Sequence, residues 1–227
     1  MKIISCYFGS NKTGVYEAPL DADCFFFSNN KYLEPLAQKS GWNFVFVNDI
    51  PVSAEPRVAS LQSKFIKFLQ FNKSLINWTP GESILYFDHK FAVKSEHIGP
   101  IQNFCSSEIL IRNTPKNKLS IQDEINAAMQ QKRYAEVMVE TVQWLIAKIK
   151  KEKLSVNNRI MSTGLILYAD VEKSQKLCDE VYEAYWFLGQ PECQIIWSLL
   201  SQPYESLITR FSWSDLDILW KERLPID

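Results

Sequence analysis

The residues with the most chemical promise form a short run, Tyr86-Phe87-Asp88-His89-Lys90. It follows an apolar stretch, Ser83–Phe87, that reads as a strand. A carboxylate at a strand's carboxyl end can ligate a divalent cation that neutralises a diphosphate. The plainer alternative is an Asp that caps the next turn. Lys64 and Lys67 lie three residues apart in a helical stretch, so they share a face. There they can hold phosphate oxygens as point charges. A solvated lysine face is the bland alternative, weakened because this helix leads into the strand that carries Asp88.

Three other positions join them. Thr163-Gly164 interrupts an apolar strand. A strand glycine marks a bulge or a close backbone approach, required either by a ligand or by tight packing. Glu192 and Gln194 open a helix, where a side chain can aim into a cleft. First-turn Glu is also favoured by the helix dipole alone. Trp186 and Trp197 are candidates for stacking on a sugar or base, or for the core. The basic run Lys148–Lys153 ends a helix and reads as a solvated terminus.

Several chemistries lack material. The chain has no G-x-x-x-x-G-K-[ST], no G-x-G-x-x-G and no G-x-S-x-G. His89 and His97 are the only histidines, too few for Ser–His or Cys–His catalysis or a His-rich metal site. The five cysteines are odd in number with no C-x-x-C pair. They predict buried, reduced thiols rather than a disulfide scaffold or a zinc site.

The elements that must position these residues alternate. Strands are expected at Lys2–Phe8, Asp23–Ser28, Trp42–Val47 and Ser83–Phe87, with helices over Lys31–Ser40 and Arg57–Phe71. This order predicts an α/β fold with a mostly parallel central sheet flanked by helices. Ligands of such sheets bind beyond the carboxyl ends of the strands. Gly9, Ser10, Asn29, Asp88 and Lys90 should therefore cluster. The second half is more helical. Strands are expected at Glu108–Arg112 and Ile160–Tyr168, and helices after Ser120, over Tyr134–Ile149, after Asp170, from Pro191 through Glu192–Leu200, and over 214–224.

The 227 residues fit a single domain, 46% hydrophobic and able to bury a full core. Lys and Arg number 25 against 26 Asp and Glu, which argues against nucleic acid as a partner. No run reaches the length of a membrane span. The first apolar run, Ile3 to Phe8, is too short for an export signal, so a cytoplasmic location is expected.

Together these features carry a resemblance. The order CYFG, Asp23-Cys-Phe-Phe-Phe-Ser28, Gly41-Trp42, Ser63-Lys64-x-x-Lys67, Leu85-Tyr86-Phe87-Asp88, Thr163-Gly164-Leu-Ile and Gln194 resembles glycosyltransferase-like domains of unknown function. These domains occur in bacterial surface-polysaccharide loci and plant Golgi proteins, and are similar to nucleotide-diphospho-sugar transferases of the GT-A fold. The resemblance implies one GT-A-like domain over 1–227, with a nucleotide-binding half (1–95) and an acceptor-side half (96–227). It implies a nucleotide-sugar donor, a glycan or lipid-linked acceptor, and a peripheral place at the inner membrane. It also implies a Mn or Mg ion held by Asp88, with Gly9, Ser10, Asn29, Lys64, Lys67, Lys90 and Gly164 on the nucleotide sugar and Glu192 and Gln194 in catalysis. Two departures stand out. Lys90 occupies the second acidic place of a D-x-D pair, and Cys193-Gln194 stands where the family has Asp-Gln. They favour an alternative, a non-catalytic nucleotide-sugar or glycan binding module.

Overall fold

A run of apolar residues buried on both faces makes a central strand of a covered sheet. Four strands are buried at every position: β1 (Lys2–Cys6), β4 (Ile84–Phe87), β5 (Ile109–Asn113) and β6 (Met161–Tyr168). With β2 (Asp23–Ser28), β3 (Asn43–Phe46) and β7 (Ile208–Phe211) they form one sheet in the order β3-β2-β1-β4-β6-β5-β7. The structure is a computed structural model and describes residues 1–10, 14–19, 22–114, 120–190 and 192–212. The expected helix over 214–224 and the placement of Pro191 lie outside the described residues.

The pairs β1–β2, β2–β3, β1–β4 and β5–β7 are parallel, whereas β6 runs antiparallel to both β4 and β5. The expected mostly parallel α/β sheet is therefore present. Its antiparallel strand brings the start of β6 to the carboxyl end of β4. The β5–β6 register breaks between Ile111 and Arg112. Beside that break, Leu165 stays with β4 opposite Phe87, and the Asp88 amide donates to the Gly164 carbonyl at 2.9 Å. Thr163-Gly164 thus lies at a bulge.

Helices cover both faces. One layer comprises α2 (Pro56–Lys67), α7 (Val171–Leu188) and α8 (Cys193–Leu200), packed over Ile4, Tyr86, Ile111 and Tyr168. The opposite face buries Ile3, Phe26, Trp42, Leu85 and Leu110, with α1 (Glu34–Lys39) and α3 (Ser95–Phe104) alongside. A third cluster joins α4 (Ile121–Ala128), α5 (Lys132–Ala135) and α6 (Met138–Glu152) to α8.

Three elements differ from expectation. Lys31–Ser40 is a 3-10 turn over Lys31–Leu33 followed by the short α1, with Pro35 in its first turn. The stripe over Tyr134–Ile149 is divided between α5 and α6, where Val137 leaves helical geometry with ψ at 10°. Helix α2 stops at Lys67, and Leu69 turns left-handed with φ at 57°.

Candidate functional site

Helix α2 lies between the sheet and α7, so it has no purely solvent-facing side near its middle. Ala59, Gln62, Lys64, Ile66 and Lys67 are buried. Leu61 and Phe65, apolar residues of the same helix, are only partly buried. Burying two lysines on one face is costly unless their charges are answered.

Asp88 provides the answer for one of them. Its Oδ1 accepts from the Tyr86 hydroxyl at 2.8 Å and pairs with the Lys67 ammonium at 2.9 Å. Its Oδ2 lies 3.7 Å from Lys90 Nζ. The Lys67 side chain is 3% exposed, Asp88 20% and Lys90 59%, so the cluster meets solvent at Asp88 and Lys90. Lys64 Nζ donates to Ser60 Oγ at 3.4 Å and sits 5.6 Å from the Tyr185 ring centroid. Among the described residues no carboxylate lies within ion-pair distance of it. Lys67 also approaches Cys193 Sγ at 3.9 Å, and that sulfur is 3.0 Å from Thr163 Oγ1.

The titrations follow from this geometry. Burial opposes a charge on Asp88, but Lys67, Lys90 and Lys64 outweigh it and hold the carboxyl well below the usual carboxylate range. Burial likewise opposes a charged Lys64, and the acidic groups Cys193, Asp88, Glu192 and Cys6 outweigh it and raise the ammonium's pKa. Burial, with Asp88 beside it, pushes the Tyr86 phenol well up. Burial pushes the Cys6 thiol up to about 12. The site is thus a set of fixed charges with neutral, hydrogen-bonding neighbours.

A second group lies at the start of α2. Gly9 has φ at +118°, which only glycine adopts without strain. A Cβ there would come within 3.1 Å of Ala59 Cβ. The Gly9 amide donates to Asn29 Oδ1 at 3.2 Å, and Asn29 Nδ2 donates to the Pro51 carbonyl at 2.9 Å. Asn30 Nδ2 donates to the Gly9 carbonyl at 3.1 Å. These bonds tie the ends of β1 and β2 to the loop before α2. Ser10 is exposed beside them. Lys64 lies five positions along the helix from Ala59, about 7–8 Å, so the two groups border one region of the sheet's carboxyl edge.

The remaining expected residues take defined places. Gly164 is covered: a Cβ would meet Phe91 Cε2 at 2.6 Å and Asp88 Oδ2 at 3.4 Å. Its missing side chain makes room for the Phe91 ring. Glu192 caps α8, its Oε1 accepting from the Gln194 amide and from Gln194 Nε2, both at 3.0 Å. Glu192 is buried, and its charge is felt at Lys64 and Tyr185. Trp197 is in the core, stacked on Phe68, whereas Trp186 is exposed on α7. His89 supports the cluster from behind, with Nδ1 3.2 Å from the Cys6 carbonyl and its ring edge-on to Tyr7. Tyr185 and Ser60, which flank Lys64, are not singled out by sequence. Tyr185 reads as part of the α7 core stripe, and only the topology brings it to Lys64. A groove of about 570 Å³ opens elsewhere, between α6 and α7, lined by Trp144, Lys148, Lys151, Glu183 and Phe187 among others. It holds none of the residues above and does not mark this site.

The donor set around Asp88 does not fit a divalent cation. A hard cation needs several oxygen ligands. Here one carboxylate is present, one of its oxygens is engaged by Tyr86 and Lys67, and the other faces Lys90. Among the described residues no three His, Cys, Asp or Glu side chains are grouped to hold a metal. The Mn or Mg ion expected on Asp88 meets an ion pair with Lys67 instead.

No protein-family profile matches the chain, and no curated protein matches its sequence. Solved structures do match. Mouse xyloside xylosyltransferase 1, in its apo form, superposes with a TM-score of 0.52 at 10% identity, covering 94% of this chain and 86% of that one. The fold is GT-A-like. The galactosyltransferase LgtC, in complex with donor and acceptor sugar analogues, matches at a TM-score of 0.46 and 10% identity, over 94% of this chain and 74% of that one. In the GT-A-like sheet the cluster of Asp88, Lys64 and Lys67 lies beyond the carboxyl ends of β1 and β4. Among the described residues no helix is long and apolar enough to cross a membrane.

Proposed function

We propose that this chain is a glycosyltransferase that moves a sugar from a nucleotide-diphosphate donor to a hydroxyl of a glycan or lipid-linked acceptor. The observation that carries this reading is the pair of buried ammoniums, Lys64 and Lys67, beside the strand-end Asp88 of a GT-A-like fold. Burying two lysines against one ion-paired carboxylate builds a site for an anion. The setting implied by the sequence resemblance is surface-polysaccharide synthesis at the cytoplasmic side of the inner membrane.

In this reading Lys64, Lys67 and Lys90 face the phosphates. Gly9, Ser10 and Asn29 border the base and ribose. Gly164, Glu192 and Gln194 shape the acceptor side. During transfer the acceptor oxygen bonds to the anomeric carbon and the bond from that carbon to the diphosphate oxygen breaks. The electron pair leaves with the diphosphate, and the hydroxyl proton passes to the Glu192 carboxylate. Fixed ammoniums at the departing diphosphate stabilise charge as it develops, which is the largest usual contribution in such a step. Orientation of the acceptor hydroxyl supplies the rest.

A second reading is a binding module without catalysis. It is favoured by Glu192 being engaged as a helix cap and by Cys193 at the place of the family's acidic residue. A thermal-shift panel of nucleoside diphosphates and nucleotide sugars, followed by a search for release of free nucleoside diphosphate, tests both. Stabilisation with product release supports the transferase. Stabilisation without release at any acceptor selects the binding module. No stabilisation by any member sinks both.

A further inference from the structure

We propose that the site takes its diphosphate without a divalent cation, the counter-charge being built into the protein as Lys64, Lys67 and Lys90. The inference rests on the nucleotide-diphosphate reading above and adds how the charge is met. Three ammoniums, those of Lys64, Lys67 and Lys90, face two carboxylates, those of Asp88 and Glu192. The balance is one positive charge, in a place where Lys64 and Lys67 are nearly removed from water. Such a charge is poorly screened and attracts an anion strongly.

The individual roles differ. Lys67 is committed to Asp88 at 2.9 Å. Lys64 has a hydroxyl and an aromatic face for neighbours, so its charge is the one left to a ligand. Lys90, at the mouth, reaches Asp88 only at 3.7 Å and is free to turn to a phosphate. Asp88 is then a positioning residue. It holds Lys67 in place through Oδ1. The position two residues after Asp88, where a second carboxylate would complete a cation site, carries an ammonium of the opposite sign. A cation placed there would meet three ammoniums against the carboxylates of Asp88 and Glu192.

The two roles for Asp88 make opposite predictions for Asp88→Asn. As a metal ligand, its loss abolishes binding that Mn supports. As the partner of Lys67, its loss frees a second ammonium for the phosphates, and affinity in chelator holds or rises. The experiment is calorimetry of UDP, GDP and inorganic pyrophosphate binding to the full chain, in EDTA and in Mn, for wild type, Asp88→Asn, Lys64→Met and Lys90→Asp. The expected result is binding in EDTA within about threefold of that in Mn. Lys64→Met should weaken it about 10- to 100-fold, the worth of a charge-assisted hydrogen bond. Lys90→Asp, which supplies a second carboxylate, should confer Mn dependence. Should Asp88→Asn fail to fold, the Lys64→Met and Lys90→Asp arms carry the test. Binding that appears only with Mn overturns the cation-free inference and leaves the nucleotide-diphosphate reading standing. Absence of binding by all three ligands in both buffers overturns both.

Discussion

Asp88→Asn should destabilise the protein, and by an amount the geometry sets. The Lys67 side chain is 3% exposed and its ion-pair partner is Asp88 at 2.9 Å. Removing one partner of a buried pair leaves an uncompensated charge and costs about 3–5 kcal/mol. Asp88 is itself 20% exposed, so water can reach the vacated side, and the low end, about 3 kcal/mol, is expected. For a chain of this size that is a fall in Tm of roughly 6–12 °C. The pH dependence has a definite sign. The folded carboxyl lies below its ordinary value of 3.8, so the stabilisation is present above that value and is lost as the pH falls through the folded one. Differential scanning calorimetry of wild type and variant should show a constant gap near neutrality that closes in acid. Adding Lys67→Met to the variant removes both charges and should recover most of the loss. A Tm within about 2 °C of wild type at neutral pH, for a domain where 1 kcal/mol moves Tm by that much, would refute the ion-pair account.

Other perturbations test the surroundings. Gly164→Ala forces the Phe91 ring to shift from a Cβ at 2.6 Å, and overpacking of this kind should cost about 1–3 kcal/mol in urea unfolding; an unchanged midpoint would show that the ring yields freely. Asn29→Ala leaves the Gly9 amide without its side-chain acceptor and the Pro51 carbonyl short of one donor, for a loss of about 1–3 kcal/mol, and wild-type stability in the same assay would remove Asn29 from its structural role. Lys64 titrates above its ordinary value of 10.5, so its charge stabilises the fold below that pH and the benefit is lost as the pH rises through the folded value. Wild type should therefore lose stability faster than Lys64→Met above that point, and parallel profiles would count against a buried, charged Lys64.

The strands were legible because their signal is local. Lys2–Cys6, Asp23–Ser28 and Ile84–Phe87 are short runs with apolar centres beside polar residues, a pattern that needs no distant partner to be recognised. The strand-end position of Asp88 followed directly. Strand β7 is not legible, since Ile208–Phe211 sets two polar residues between two apolar ones, without a strand's alternation, over only four positions at a sheet edge. Helix α3 was missed because Gly99 and Pro100 sit inside Ser95–Phe104. The partners of the lysines were beyond reach for a different reason. A shared helix face can be read from spacing, but whether it meets water or Asp88 depends on α7 lying over α2. Tyr185, 121 positions after Lys64 in the chain, carries no local mark of that contact. Gly164 was read as a bulge or a close approach, and it is both: the register break beside it and the Phe91 ring against it come from residues 50 or more positions away.

The central claim is that a diphosphate binds among Lys64, Lys67 and Lys90 at the carboxyl edge of the sheet. A crystal structure with a bound nucleoside diphosphate tests it most directly. The account predicts phosphate oxygens at roughly 2.7–2.9 Å from the Nζ of Lys64 or Lys90, with the nucleoside toward Gly9 and Asn29. Phosphates held elsewhere, such as in the groove between α6 and α7, or nucleotide with its diphosphate turned away from all three lysines, would contradict it.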